Sequence, residues 1–146
     1  MNKHTLIHAG TAVDNPHQYN VVIGTDIGQF SGTVECRAED WDRESKFFGF
    51  ELAEIKANIK YAKAKARHYD ALWNELINFW KVMSETRTYD ENAFWVKKIA
   101  QRIDDYADKA RTWKHLAQDM KNTYHLKIQL FDAQNKKKGR YQWLSK

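Results

Sequence analysis

The sequence predicts an α+β protein: a long antiparallel two-helix hairpin with a small antiparallel β-sheet formed by N-terminal and C-terminal hairpins. Apolar residues repeat at alternating spacings of three and four over residues 52–83, and again over residues 96–124. This repeat is typical of helices that pack along one stripe. Short stretches in which apolar and polar residues alternate lie on both sides of the two repeats, and they indicate strands.

The first repeat predicts a helix over residues 50–84, because no glycine or proline interrupts it. Asp40, Asp42 and Ser45 precede it and are all candidate N-caps. The apolar stripe of this helix consists of Leu52, Ile55, Ile59, Ala62, Ala66, Tyr69, Trp73, Leu76, Trp80 and Met83.

The second repeat predicts a helix from about Glu91 to Asn122, so residues 50–122 form the helical hairpin. Thr88 and Glu91 resemble a capping box at its start. If the chain turns near residue 87, residues i and j of the two helices meet where i + j is about 174 or 175. The stripe of the second helix consists of Val96, Ile99, Ile103, Tyr106, Ala110, Trp113, Ala117, Met120 and Tyr124.

The remaining segments complete a single domain over residues 1–146. Residues 1–18 are predicted to be an irregular arm with at most a short strand. Residues 19–38 read as a β-hairpin, because two β-branched and apolar stretches flank a turn that contains two glycines. Residues 125–144 are predicted to form a C-terminal β-hairpin, since Leu126, Ile128 and Leu130 alternate with polar residues.

The charge is unevenly distributed in this chain of 146 residues with net charge +5. Residues 26–54 hold eight acids and three bases, whereas residues 55–68 and 133–146 each hold five bases and no acid. Such segregation favours recognition of another macromolecule, although compensation of charge within the molecule explains it equally well. The sequence has no membrane-length apolar run, no signal-peptide pattern and a single cysteine, so a cytoplasmic protein is expected.

Two groups of basic residues are candidate nucleic-acid or partner-binding sites, with a solvated surface as the alternative. The first group follows one side of the first helix at spacings of four, three and four. The second group interleaves bases with aromatic residues near the C-terminus. The two groups are Lys56, Lys60, Lys63 and Arg67, and Lys136, Lys137, Lys138, Arg140, Tyr141 and Trp143.

Four aromatic residues near the predicted turn, Phe79, Trp80, Phe94 and Trp95, are a third candidate site. We name them the tip cluster. One apolar stripe cannot bury all of them, so they form either a partner-binding surface or a small local core. A homodimer is a further prediction, because Tyr61 and Leu72 are apolar residues outside the stripe.

The sequence predicts no catalytic residue, no metal ligand and no cofactor, and therefore no enzyme. Residues 21–28 do resemble the first strand of ribonuclease H-like nucleases, which implies a metal ligand at Asp26. That fold needs further central strands where this chain has a long helical repeat. We therefore interpret Asp26 as a turn residue and keep the nuclease as the less favoured alternative.

Two stretches, Gly32 to Trp41 and Gly49 to Ala57, resemble small uncharacterised accessory proteins of phages and prophages of Gram-positive bacteria. The resemblance covers about residues 30–65 and contains no catalytic motif. It implies a binding protein that inhibits a host defence nucleoprotein in the host cytoplasm, such as an anti-CRISPR inhibitor of an effector nuclease. A nucleic-acid-binding module remains the alternative.

Overall fold

The computed structural model describes residues 4–86, 93–135 and 143–145. It confirms the α+β class, with two long helices and an antiparallel sheet. The elements are strands β1 (Thr5–Ala12), β2 (Asn15–Thr25) and β3 (Gly28–Cys36), a short 3₁₀ helix (Ala38–Arg43), helices α1 (Lys46–Thr86) and α2 (Phe94–Asn135), and strand β4 (Trp143–Ser145).

The chain divides into two compact units. The first unit comprises Met1–Tyr61 and Leu116–Lys146, and it contains the sheet with one end of each long helix. The second unit comprises Ala62–His115 and contains the remaining parts of α1 and α2. In the chain, the second unit is thus inserted between the two segments of the first unit.

The sheet of the first unit has the order β1-β2-β3-β4, and every neighbouring pair is antiparallel. The predicted hairpin over residues 19–38 is confirmed, with Thr25 opposite Gly28 at its turn. Gly28 has φ of 129°, a conformation that glycine adopts without the strain a side chain would cause. One face of the sheet is the core of this unit, with Tyr19, Val21, Ile23, Val34 and Cys36 buried.

Within residues 4–18, the prediction of an irregular arm is wrong, although the short strand that it allowed does occur, beginning at Thr5. Thr5–Ala12 is strand β1, which pairs with β2, and β2 already begins at Asn15. β1 lies at the edge of the sheet and is largely exposed, so it has no buried face to impose apolar alternation on its sequence. Its register against β2 is also irregular at Leu6/His8 and at Thr11/Ala12.

Ser45, one of the three candidate N-caps, caps helix α1. The backbone N–H of Phe48 donates a hydrogen bond to Ser45 Oγ over 3.2 Å, which satisfies a donor of the first turn. The Phe48 ring stacks on Phe131 of α2, with centroids 4.2 Å apart, and fixes the first turn against the end of the other helix.

Helix α1 crosses the sheet through a very close contact at Gly32. A β-carbon at Gly32 would lie 2.6 Å from the backbone nitrogen of Ala57 and closer still to the carbonyl oxygen of Ala53. Ala53 and Ala57 are fully buried and lie outside the predicted apolar stripe. In the first unit α1 therefore has a second buried side, which faces the sheet.

Tyr61 extends this second side. It is buried, its ring packs against Phe30, and its hydroxyl donates a hydrogen bond of 2.6 Å to Asp26 Oδ1. Tyr61 is therefore part of the core of the first unit and is not available for the predicted homodimer contact.

The predicted β-hairpin over residues 125–144 is wrong in its first half, because α2 continues to Asn135. Tyr124 and Ile128 are buried and Phe131 is half-buried, at spacings of four and three that continue the helical repeat. Leu126 and Leu130 face solvent instead. The predicted final strand exists as β4, but it pairs with β3.

The second unit has the antiparallel helix register that the sequence predicts. Tyr69 contacts Tyr106 with ring centroids 6.2 Å apart, and Trp80 contacts Trp95 at 6.5 Å. Both pairs have i + j of 175, the predicted sum. The small stripe residues of this unit, Ala62, Ala66 and Ala110, are buried.

Candidate functional site

The tip cluster lies in the second unit, where the last turns of α1 approach the start of α2. Phe94 is 75% exposed, Phe79 49% and Trp95 41%, whereas Trp80 is half-buried beside Trp95. The structure thus divides the predicted cluster. Trp80 is half-buried against Trp95, whereas Phe79, Phe94 and Trp95 are exposed to solvent.

Within the second unit, the exposed large apolar side chains gather at this end, whereas the first unit has exposed apolar side chains of its own, Phe47 among them. Among its described residues, the strongly exposed large apolar side chains are Phe79, Val82, Phe94 and Trp95. The described parts of 62–78 and 96–115 contribute none. Exposed apolar side chains that gather in one place on a folded unit are typical of an interaction surface.

A cleft of about 240 Å³ lies beside the cluster within the same unit. It is lined by Trp80, Val96, Ile99, Ala100, Ile103 and Asp104. The walls are apolar apart from one carboxylate. Sequence reasoning identified Trp80 here but missed the cleft, since it depends on which side of α2 lies next to the Trp80 ring.

The boundary between the two units falls within the basic group that was predicted on α1. Lys56 and Lys60 belong to the first unit, while Lys63 and Arg67 belong to the second. Lys60, Lys63 and Arg67 are exposed. Lys56 is half-buried, with its Nζ 5.1 Å from the centroid of the Tyr124 ring, and it covers apolar surface as well as carrying charge.

The structure describes little of the basic C-terminal group. Its members between residues 136 and 141 (Lys136, Lys137, Lys138, Arg140 and Tyr141) lie outside the described residues. Trp143 begins β4, and its side chain also lies outside the described part. The predicted capping box at Thr88 and Glu91 also lies outside the described residues.

Asp26 occupies the turn between β2 and β3, as we interpreted it, and it accepts the hydrogen bond from the Tyr61 hydroxyl. Within residues 4–86, 93–135 and 143–145, no group of three or more histidine, cysteine, aspartate or glutamate side chains is arranged to hold a metal ion.

A polar cluster in the first unit was not predicted. Glu44 accepts one hydrogen bond from the Tyr19 hydroxyl through Oε2, and its Oε1 pairs with His17 Nδ1. The His17 ring stacks on Trp41 with centroids 3.8 Å apart, and the Trp41 indole donates to the carbonyl of Cys36 over 3.1 Å. The cluster ties the segment before α1 to β2 and β3, which is a structural role.

Tyr19 makes this cluster sensitive to alkali. Burial, followed by the hydrogen bond and negative charge of Glu44, raises the pKa of the Tyr19 phenol above its ordinary value of about 10. The unfolded chain therefore releases this proton at lower pH than the folded protein does. Stability conferred by the neutral phenol is complete below about pH 10 and is lost as the pH rises above it.

Between pH 8 and pH 11 the parent should lose unfolding free energy as the Tyr19 phenol becomes able to ionise. Tyr19→Phe should lose less over the same range, because the variant has no phenol at this position. At pH 8 the variant should be less stable by about 1 kcal/mol, for the lost hydrogen bond. Urea titrations at both pH values measure the two effects. Tyr106→Phe, in the second unit, is the control, and an equal change in both variants would contradict the prediction.

Comparisons with protein-family models, with curated proteins and with solved structures found no match to this chain. The fold and the exposed surface therefore define its class: an α+β protein whose second unit presents aromatic side chains to solvent. Neither long helix, within its described residues, combines the length and low polarity needed to cross a bilayer.

Proposed function

We propose that this chain is a non-enzymatic binding protein that docks the exposed part of the tip cluster onto a partner protein. The observation that carries the proposal is that the exposed aromatic side chains of the second unit, Phe79, Phe94 and Trp95, all lie at one end of it; the first unit also exposes Phe47 and Trp41. Aromatic side chains dominate the energetics of protein interfaces, because they bury a large area and lose little conformational freedom.

The partner that we propose is a host defence nucleoprotein, with a CRISPR effector nuclease as the case to test first. The resemblance of residues 30–65 to accessory proteins of phages supports this choice. The chain would then act in the host cytoplasm by occupying the surface of the effector or its nucleic-acid channel.

The test begins in bacteria that carry an active CRISPR effector programmed against a phage. We expect expression of the chain to restore plaque formation and the purified chain to co-elute with that effector. The double variant Phe94→Ala/Trp95→Ala should weaken binding to the effector about thirtyfold or more, the effect of removing one interface hot spot.

Leu126→Ala/Leu130→Ala is the matched control, since it removes two similarly exposed apolar side chains from the first unit. This variant should bind as the parent does. Restored plaque formation without co-elution of chain and effector would overturn the proposed mechanism. Equal weakening by both double variants would show that the tip cluster has no special part in it.

The alternative is a nucleic-acid-binding module, favoured by the exposure of Lys63 and Arg67, one helical turn apart in the second unit. Contacts with phosphates release counterions, so the affinity for an oligonucleotide should fall steeply between about 50 and 200 mM salt. Mobility shifts across that range separate the two functions, because docking through aromatic side chains responds much less to salt.

A further inference from the structure

The cleft beside the tip cluster is apolar along its length and has one charged group. Val96, Ile99 and Ile103 of α2, at spacings of three and four, line it together with Trp80 of α1. Asp104 also lines the cleft and is exposed, so the one acidic residue of the lining is accessible to solvent.

The volume of about 240 Å³ falls below the 300–1,000 Å³ that is usual for small-molecule sites. It suits a single long side chain. The carboxylate of Asp104 repels phosphates and attracts cations, so the cleft is electrostatically suited to a base and not to a nucleic-acid backbone.

We infer that this cleft receives an arginine side chain of the partner protein, within a segment whose neighbouring residues are apolar. The inference rests on the proposed docking function. The alkyl stem of arginine packs against Ile99 and Ile103. Its guanidinium stacks on the Trp80 ring and pairs with the Asp104 carboxylate, two interactions that its planar, delocalised charge makes together.

A peptide titration tests the inference directly. The probes are the capped peptide Ala-Leu-Arg-Leu-Ala and the same peptide with citrulline, which has nearly the shape of arginine without its charge. Binding to the full chain is followed through the indole N–H resonances of Trp80 and Trp95. We expect about fivefold tighter binding of the arginine peptide, a modest factor because Asp104 is exposed.

Asp104→Asn should abolish the preference for arginine over citrulline. Asp105→Asn is the matched control, because Asp105 is also exposed but does not line the cleft, and this variant should keep the preference. The inference is overturned if the peptides bind equally to the parent, or if Asp104→Asn keeps the preference. It is also overturned if only a single-stranded oligonucleotide, or only a second copy of the chain, perturbs the two indole resonances.

The same variants separate this inference from the proposed function. If Phe94→Ala/Trp95→Ala abolishes binding to the effector while Asp104→Asn does not change it, docking stands and the arginine pocket is refuted. If the parent prefers the arginine peptide but never binds an effector, the pocket stands and the inhibitor function is refuted.

Discussion

Gly32→Ala is expected to destabilise the protein by about 3 kcal/mol or more, at the upper end of what overpacking costs. The added β-carbon would lie 2.6 Å from the backbone nitrogen of Ala57, well inside a contact distance of about 3.5–4.0 Å. All three atoms that it meets, this nitrogen and the carbonyl carbon and oxygen of Ala53, belong to the backbone of α1. No side-chain rotation can relieve the clash, so strand and helix must separate.

Gly32→Ala also has a stabilising effect, which is smaller than the cost of the clash. Replacing glycine by alanine reduces the entropy of the unfolded chain and stabilises by about 0.4–1 kcal/mol where the native backbone accepts it. The clash is the larger effect, so the net change in unfolding free energy is destabilising. Urea unfolding followed by circular dichroism measures the loss. Ser31→Ala, at the exposed neighbouring position, should stay within about 0.5 kcal/mol of the parent. If Gly32→Ala is as stable as Ser31→Ala, the packing of α1 on β3 is not as described.

The long helices could be predicted because their repeat is strong over many turns. Burial of Ala62, Ala66, Ala110 and Trp113 shows that the predicted stripes are the packed ones in the second unit. The register followed from the position of the turn alone. The second buried side of α1 was not predicted, because small residues such as Ala53 and Ala57 carry too little hydrophobicity to reveal a close contact with a sheet.

The C-terminal error shows how a short alternation misleads. Leu126, Ile128 and Leu130 are spaced as in a strand, yet only Ile128 is buried. The helical signal was also present, since Tyr124, Ile128 and Phe131 continue the stripe of α2. Three residues at a spacing of two are weak evidence against a repeat that already spans many turns, and the longer pattern determines the structure.

The candidate site was predictable only in part. The tip cluster was found because Phe79 and Phe94 lie off the helical stripes, and a side chain off a stripe is free to face solvent. The polar cluster of His17 and Glu44 was not found, since the two residues are 27 positions apart. Their meeting depends on how the 3₁₀ helix lies against β2, which no local pattern encodes.

Trp113→Ala is expected to lower the unfolding free energy by about 3–5 kcal/mol, the usual cost of removing a buried tryptophan side chain. Trp113 is 8% exposed and lies in the stripe of α2 within the second unit. Its ring also lies 5.5 Å from Nζ of Lys65, a lysine that is only 4% exposed. The truncation therefore leaves a cavity and removes an aromatic face from a buried cation, and both effects destabilise.

Two further variants make this prediction specific. Trp113→Phe keeps an aromatic ring and most of the volume, so it should lose less stability than Trp113→Ala. Phe94→Ala removes an aromatic side chain from the same unit at a position that is 75% exposed, and it should stay within about 0.5 kcal/mol of the parent. Urea midpoints of the three variants order the effects. If Trp113→Ala unfolds at the midpoint of Phe94→Ala, Trp113 is not packed between the helices, and the register that places the tip cluster and its cleft fails with it.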